Sequence, residues 1–441
     1  MSKQAAGTLA FWLCATCLCG GERMRDDSDM KLAEKIVVGG TEFRTAAPPK
    51  GLVLRAELGL VTHEAVTGQV VHRTPRPQVG LYETRATITP GGDYLLMFPQ
   101  GRHYAGQKTK ANDLLACRSS DKGKTWSPAK VAFAIDYNQH GFIPLIPRGS
   151  KRLYAFGTQP LWNKFNGVEN AAIGYRYSDD DGQTWSPVSL IEPANDPGYL
   201  GMSVMRMCET DAGTWLLGTH TGTRWFKLPD GTMTTKTRSY ILRSEDQGKT
   251  WTLLPGPREE GWYLKELERM DEIRPIALGG GKVLAFARTC EGHLWELRSG
   301  DDGRTWSDPR ATVLVHPDAP PMVFHLADGE TLIAFHHNRH TGHHFKQTDR
   351  SEVWVSLSTD EGRTWSEPRF VFANALAPTL ENDWRNHNCS YVDMFPDGET
   401  LHLFVPHRWR QALHLTFREG DIANFPTKAD LASASQKEGA Q

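Results

Sequence analysis

Acidic, hydroxyl and imidazole side chains recur in this sequence at fixed spacing, and each pattern has a chemistry it could serve. The octamer Ser-x-Asp-x-Gly-x-Thr-Trp occurs at 119–126, 178–185, 244–251, 299–306 and 358–365. A carboxylate flanked by hydroxyls is one way to hold a cation or a ligand. Its other use is internal. Asp121, Asp180, Asp246, Asp301 and Asp360 can each accept backbone N–H bonds and close a turn. The Gly two residues on can take positive φ, and the Trp returns the chain to a buried strand. Five copies suit a scaffold better than a site, so the octamers are read as staples. The second pattern is the run "HHNRHTGHHF" at 336–345. Its spacing matches no tight ligand set, and neither a metal nor another cofactor is expected.

The elements that carry these residues also repeat. An apolar strand, a Gly turn and a second apolar strand recur at 87–98, 144–156, 206–218, 275–287, 323–335 and 393–404. Each of the first five is followed by an octamer, and successive octamer Trp residues are 59, 66, 55 and 59 positions apart. One unit is therefore four antiparallel strands, which is a propeller blade. Six hairpins predict an all-β, six-bladed β-propeller over residues 52–424. The sixth unit lacks its octamer, so a strand from around 52–72 is expected to complete it and remove the exposed edges.

Composition narrows the function. A net charge of −2 gives no reason to expect nucleic acid as a partner. No stretch is long and apolar enough to span a membrane. Residues 1–22, "MSKQAAGTLAFWLCATCLCGGE", read as an export leader, with a secreted or periplasmic location as the expectation. Residues 23–51 read as a linker and 425–441 as a solvated tail. Cys117, Cys208, Cys290 and Cys389 fall on different strand-like segments and read as small packed residues rather than a disulfide frame.

The octamers resemble the Asp boxes of the sialidase superfamily, whose members are six-bladed propellers that mostly hydrolyse glycosides. The segment "DEIRPIALGGGKVLAFARTCEGHLWELRSGDDGRTWSDP" (271–309) carries the resemblance further. It looks like the family's blade in which a Glu opens the first strand and an Arg closes the second. The resemblance implies that Glu272 is the catalytic Glu and that Arg288 belongs to a carboxylate-binding Arg triad. Arg350, eight residues before Ser358, matches another triad Arg. "YETRATITPGGDYLLMFPQGRHYAG" resembles the opening blade, with Arg102 in its Gly-Arg pair and Arg85 as a displaced substitute for the opening Arg. The family's acid/base Asp belongs a few residues beyond Arg102, where the sequence reads "HYAGQKTKAND". The family's nucleophilic Tyr aligns with Cys389. Tyr391, two residues on, shares its strand face.

Arg forks bind a sugar carboxylate bidentately at any working pH. A carboxylate supports the oxocarbenium-like state directly or through a Tyr nucleophile. A further group must protonate the leaving oxygen, and His103 and His140 are the candidates, since His exchanges protons near neutrality. His337 and Arg339 are candidate sugar contacts. The resemblance implies an exo-acting glycosidase of sialidase type, with a terminal acidic sugar on a glycan as substrate. A propeller lyase acting on uronate glycans and a non-catalytic glycan-binding propeller are the alternatives.

Overall fold

The computed structural model describes residues 27–77, 79–101, 112–135, 140–159, 170–227, 233–342, 347–378 and 386–438. Six antiparallel sheets follow one another along the chain. The inner strands are Arg85–Ile88, Ile143–Leu145, Ser203–Glu209, Asp271–Gly279, Met322–His325 and Asp393–Asp397.

Blade 4 shows how sequence becomes blade. The strands Asp271–Gly279 and Lys282–Arg288 flank Gly279, Gly280 and Gly281, with φ of 85°, 59° and 76°. Only glycine takes three such values in a row without steric cost. Antiparallel pairing sets Asp271 opposite Arg288. The start of an inner strand and the end of its neighbour therefore meet at one face of the ring, although sixteen residues separate Glu272 from Arg288 in sequence.

The octamers act as the expected staples. In blade 2, Asp180 Oδ1 accepts from Ser178 Oγ (2.7 Å) and Thr184 N (2.8 Å), and Oδ2 accepts from Thr184 Oγ1 (2.6 Å). The same bonds recur at Asp121, Asp246, Asp301 and Asp360. With both oxygens occupied, the carboxyls are held down to about 2 by bonds from the octamer Thr and Ser. Glycine is required at Gly303 because a Cβ there would lie 2.8 Å from Leu216 of the preceding blade, and φ is 74°. The Trp expectation needs correction. Only Trp251 is fully buried, while Trp126, Trp185, Trp306 and Trp365 are half-buried because they cover the rim of a blade interface.

Thr67–Arg73 pairs with Gln411–Arg418 and completes blade 6. The hairpin Leu52–Arg55/Leu60–His63 instead extends blade 5, with Thr62 opposite Phe372. Lys35–Val38 and Thr41–Arg44, read above as linker, form a hairpin. Lys428–Glu438, read above as tail, is a helix. Phe43 and Leu431 share an apolar cluster with Trp354 and Phe370, so both segments cover the outer face of blade 5. Cys117, Cys290 and Cys389 are buried, Cys208 is half-buried, and none of the four is in a disulfide. Among the described residues no helix is long and apolar enough to cross a membrane.

Trp251→Ala should cost about 3–5 kcal/mol of unfolding free energy, and Trp185→Ala clearly less, in urea titrations. Equal costs would contradict the difference in burial.

Candidate active site

Six blades bring the leading residues of their inner strands to one face of the ring. Glu83 precedes the inner strand of blade 1, His140 that of blade 2, Asp318 that of blade 5 and Tyr391 that of blade 6, while Glu272 is the second residue of the inner strand of blade 4. All are at least nine-tenths buried.

Glu272 is the hub. Its Oε1 accepts from Tyr391 Oη at 2.8 Å and its Oε2 accepts from Arg288 Nη1 at 2.8 Å. Arg288 Nε donates to Asp318 Oδ1 at 2.5 Å, and Arg288 Nη1 lies 3.5 Å from Tyr391 Oη. Arg269 bonds Asp271 Oδ2 (2.6 Å) and Asp318 Oδ1 (3.2 Å). Arg350 donates to the carbonyl of Asp318, and its own carbonyl accepts from Cys389 N at 2.9 Å. That last bond ties the Arg350 segment to the Tyr391 segment.

A second acid centres a second knot. Glu83 Oε1 lies 2.5 Å from His140 Nδ1. Glu83 Oε2 accepts from Arg85 Nη2 and from Gly141 N, both at 2.9 Å. Ligand atoms of Glu83, His140 and Glu272 lie within 4.8 Å of one another. A metal ion there would have to displace Tyr391 or Arg288 from Glu272 and Arg85 from Glu83. The arrangement fits proton traffic better than coordination.

The charges follow from these contacts. Burial pushes the Glu272 carboxyl up, but Arg288 and the neighbouring imidazoles outweigh it and hold it down to about 2. Burial and the Glu272 charge push the Tyr391 phenol well above its ordinary value, so it stands protonated. Burial lowers Arg350 to about 10 and His220 to about 4. His220, bonded to Ser203 Oγ at 3.1 Å, is therefore neutral at pH 7.

The backbone is strained at the same places. Glu83, Glu272 and Tyr391 have φ of 24°, 40° and 64°. Each such residue costs on the order of 1–3 kcal/mol and persists only where its surroundings enforce it.

The structure thus brings Glu272, Tyr391, Arg288, Arg350, His140 and Arg85 together. Arg85 is held by Glu83 and the Thr84 carbonyl. Tyr391, not Cys389, reaches Glu272, because Cys389 points into the apolar cluster between blades 5 and 6. His337 is fully buried between the Glu352 carbonyl and Ser390 Oγ, both at 2.7 Å, and so supports the segment preceding Tyr391. Arg339 pairs with Asp349 at 3.2 Å and lines a groove with Gly39 and Lys428. Arg102 and His103 lie outside the described residues. Sequence reasoning missed Glu83, Asp318 and His220. Glu83 carried a signal: in "YETR" an acid two residues before Arg85 is available to the same strand face.

The sequence profile of the BNR repeat-like domain matches residues 102–403. A sialidase of Bacteroides fragilis is 21% identical over 346 residues, covering 69% of this chain and 56% of that protein. A sialidase of Micromonospora viridifaciens is 24% identical over 309 residues, covering 63% and 44%. The chain thus spans about half the length of the curated relatives it matches. The crystal structure of a protein of unknown function from Dyadobacter fermentans superposes with a TM-score of 0.59 at 16% identity, over 80% of this chain and 99% of that one. At that identity the likeness is one of fold.

Folding holds Glu272 down to about 2 from an ordinary 4.5. Its charge therefore favours the folded state above pH 4.5 and ceases to do so as pH falls towards 2. The stability gap between the native chain and Glu272→Gln should narrow over that range in urea titrations. A constant or widening gap would mean that Glu272 is not held as a charged group.

Proposed function

The chain belongs to the BNR repeat-like domain family, within the sialidase-like superfamily of six-bladed propellers, and on that premise we propose that it is an exo-acting glycoside hydrolase of sialidase type. Its substrate class is a glycan ending in an acidic sugar whose carboxylate sits on the anomeric carbon. The observation that carries the reading is the 2.8 Å bond from Tyr391 Oη to Glu272 Oε1, between residues 119 positions apart. The likeness of the chain to two sialidases supports it.

The chemistry runs as follows. The substrate carboxylate binds the guanidinium fork of Arg350 and the charge of Arg288, whose Nε and Nη1 are held by Asp318 and Glu272. Tyr391 Oη attacks the anomeric carbon as the glycosidic C–O bond breaks and its electron pair leaves with the departing oxygen. A phenol at rest does not surrender its proton to a carboxylate as weakly basic as Glu272. Once Oη begins to bond to carbon, its O–H becomes far more acidic, and the proton passes to Glu272. Base catalysis is thus confined to the transition state, where it accelerates the reaction. Water then displaces Tyr391 in a second step, and Glu272 returns the phenolic proton. Two displacements at one carbon give net retention.

The buried Glu83–His140 pair beside a Tyr also fits a lyase, in which a base removes a proton next to a uronate carboxylate. The two readings separate on products, because elimination leaves an unsaturated sugar and hydrolysis does not.

Turnover of an aryl glycoside of sialic acid tests the proposal. Glu272→Gln should lower kcat by about 10²–10⁴-fold with KM nearly unchanged. Arg350→Lys should chiefly raise KM, because a point charge does not reproduce the fork. Full activity in Glu272→Gln, or an unsaturated product from a uronate polymer, would overturn the hydrolase reading.

A further inference from the structure

A hydrolase of this kind needs a group that protonates the departing oxygen, and no acid follows Arg102 before Asp113. We propose that His140 is this proton donor and acceptor, and that Glu83 is the residue that positions it. The inference rests on the hydrolase reading and adds to it a dyad that replaces the family's missing Asp.

Three independent observations support it. The first is the anchoring of Glu83, whose two oxygens accept from Arg85, Gly141 N and the His140 ring. A carboxylate held at three points cannot swing, so it fixes the imidazole through Nδ1. That bond keeps the Nδ1 proton in place and leaves Nε2 as the nitrogen that trades protons. The second is distance. The ligand atoms of His140 and Glu272 lie within 4.8 Å. The imidazole therefore stands beside the carboxylate that is bonded to Tyr391 Oη, the attacking atom. The third is strain. Glu83 shares its positive φ with Glu272 and Tyr391, the pair already assigned to the chemistry. Its φ of 24° falls short of the 58–66° at which the octamer turns hold their non-glycine residues, so its surroundings must enforce it.

The charged and titratable groups around the imidazole come from four other elements: Glu83 and Arg85 of blade 1, His220 of blade 3, Glu272 and Arg288 of blade 4, and Tyr391 of blade 6. Glu83 favours the imidazolium directly. In the first step protonated His140 gives its Nε2 proton to the leaving oxygen, which departs as an alcohol, and the ring becomes neutral. In the second step the neutral ring takes a proton from water as the water oxygen bonds the anomeric carbon. The bond to Tyr391 breaks, and His140 is protonated again.

The test uses the full chain and two substrates, a sialoside linked to lactose and a nitrophenyl sialoside. A sugar alcohol departs only with a proton, whereas nitrophenolate departs without one. His140→Ala should lose about 10²–10⁴-fold in kcat/KM on the lactose-linked substrate, and at least about tenfold less than that on the nitrophenyl one. The alkaline limb of its pH profile should vanish. Glu83→Gln keeps the shape and should move that limb down by about 1–3 pH units. Equal losses on both substrates with an unmoved pH limb would make the pair structural and overturn the proposal while the hydrolase reading stands. Failure of the native chain to turn over either substrate would overturn both.

Discussion

The pairing of Thr67–Arg73 with Gln411–Arg418 is the constraint on which the rest of the structure depends. A strand from before the first blade becomes the outer strand of the last, so the ring closes through the ends of its own sequence. The closure is reinforced by side chains. His72 bonds Gln100 of blade 1 at 2.7 Å, and Gln411 Nε2 donates to the Leu58 carbonyl at 2.7 Å. Blades 6 and 1 also meet directly, with Ala86 N donating to Asp393 Oδ2 at 2.8 Å and Thr84 Oγ1 to the Phe404 carbonyl at 2.9 Å. Tyr391 comes from blade 6, Glu83 from blade 1 and Glu272 from blade 4, and their ring of contacts exists only while the seam holds.

Closure also explains how the site tolerates its own cost. Three buried acids, Asp271, Glu272 and Asp318, meet Arg269 and Arg288 in one network, and Glu83 meets Arg85 in a second. An unpaired buried charge costs several kcal/mol, so each member holds the next in place. The strained backbone positions Glu83, Glu272 and Tyr391 belong to these two groups, Tyr391 through its bond to Glu272. The apolar clusters between blades supply the stability that the axis does not. A fold that gathers buried charge at one face and leaves the packing to the blade interfaces is the arrangement expected of a functional site.

What the sequence made legible was whatever repeated. The octamer Asp residues, the Gly hairpins and the missing sixth octamer lead to six blades and to the closing strand. Glu272, Arg288 and Arg350 stood out because the segments that carry them resemble sialidase blades. Glu83 did not, because its importance lies in what blade 2 brings against it, and no local pattern encodes His140 Nδ1 at 2.5 Å. Asp318 and His220 were hidden for the same reason. The segments 35–44 and 428–438 looked polar and unattached. Their few apolar residues, Phe43 and Leu431 among them, have a partner only once Trp354 and Phe370 of blade 5 are in place. The octamer Trp residues erred the other way: four of five ended half-buried, since a ring at a blade rim has apolar neighbours on one side only.

The central claim is that ring closure delivers Tyr391 to Glu272 as a nucleophile with its base. The most direct measurement is to treat the native chain with a fluorinated sialosyl fluoride, which slows the second displacement more than the first, and to map the covalent adduct by peptide mass spectrometry. The account predicts one sugar bound through the Tyr391 oxygen, and none in Tyr391→Phe. An adduct on another side chain, or turnover of the lactose-linked sialoside by Tyr391→Phe at the native rate, would contradict it.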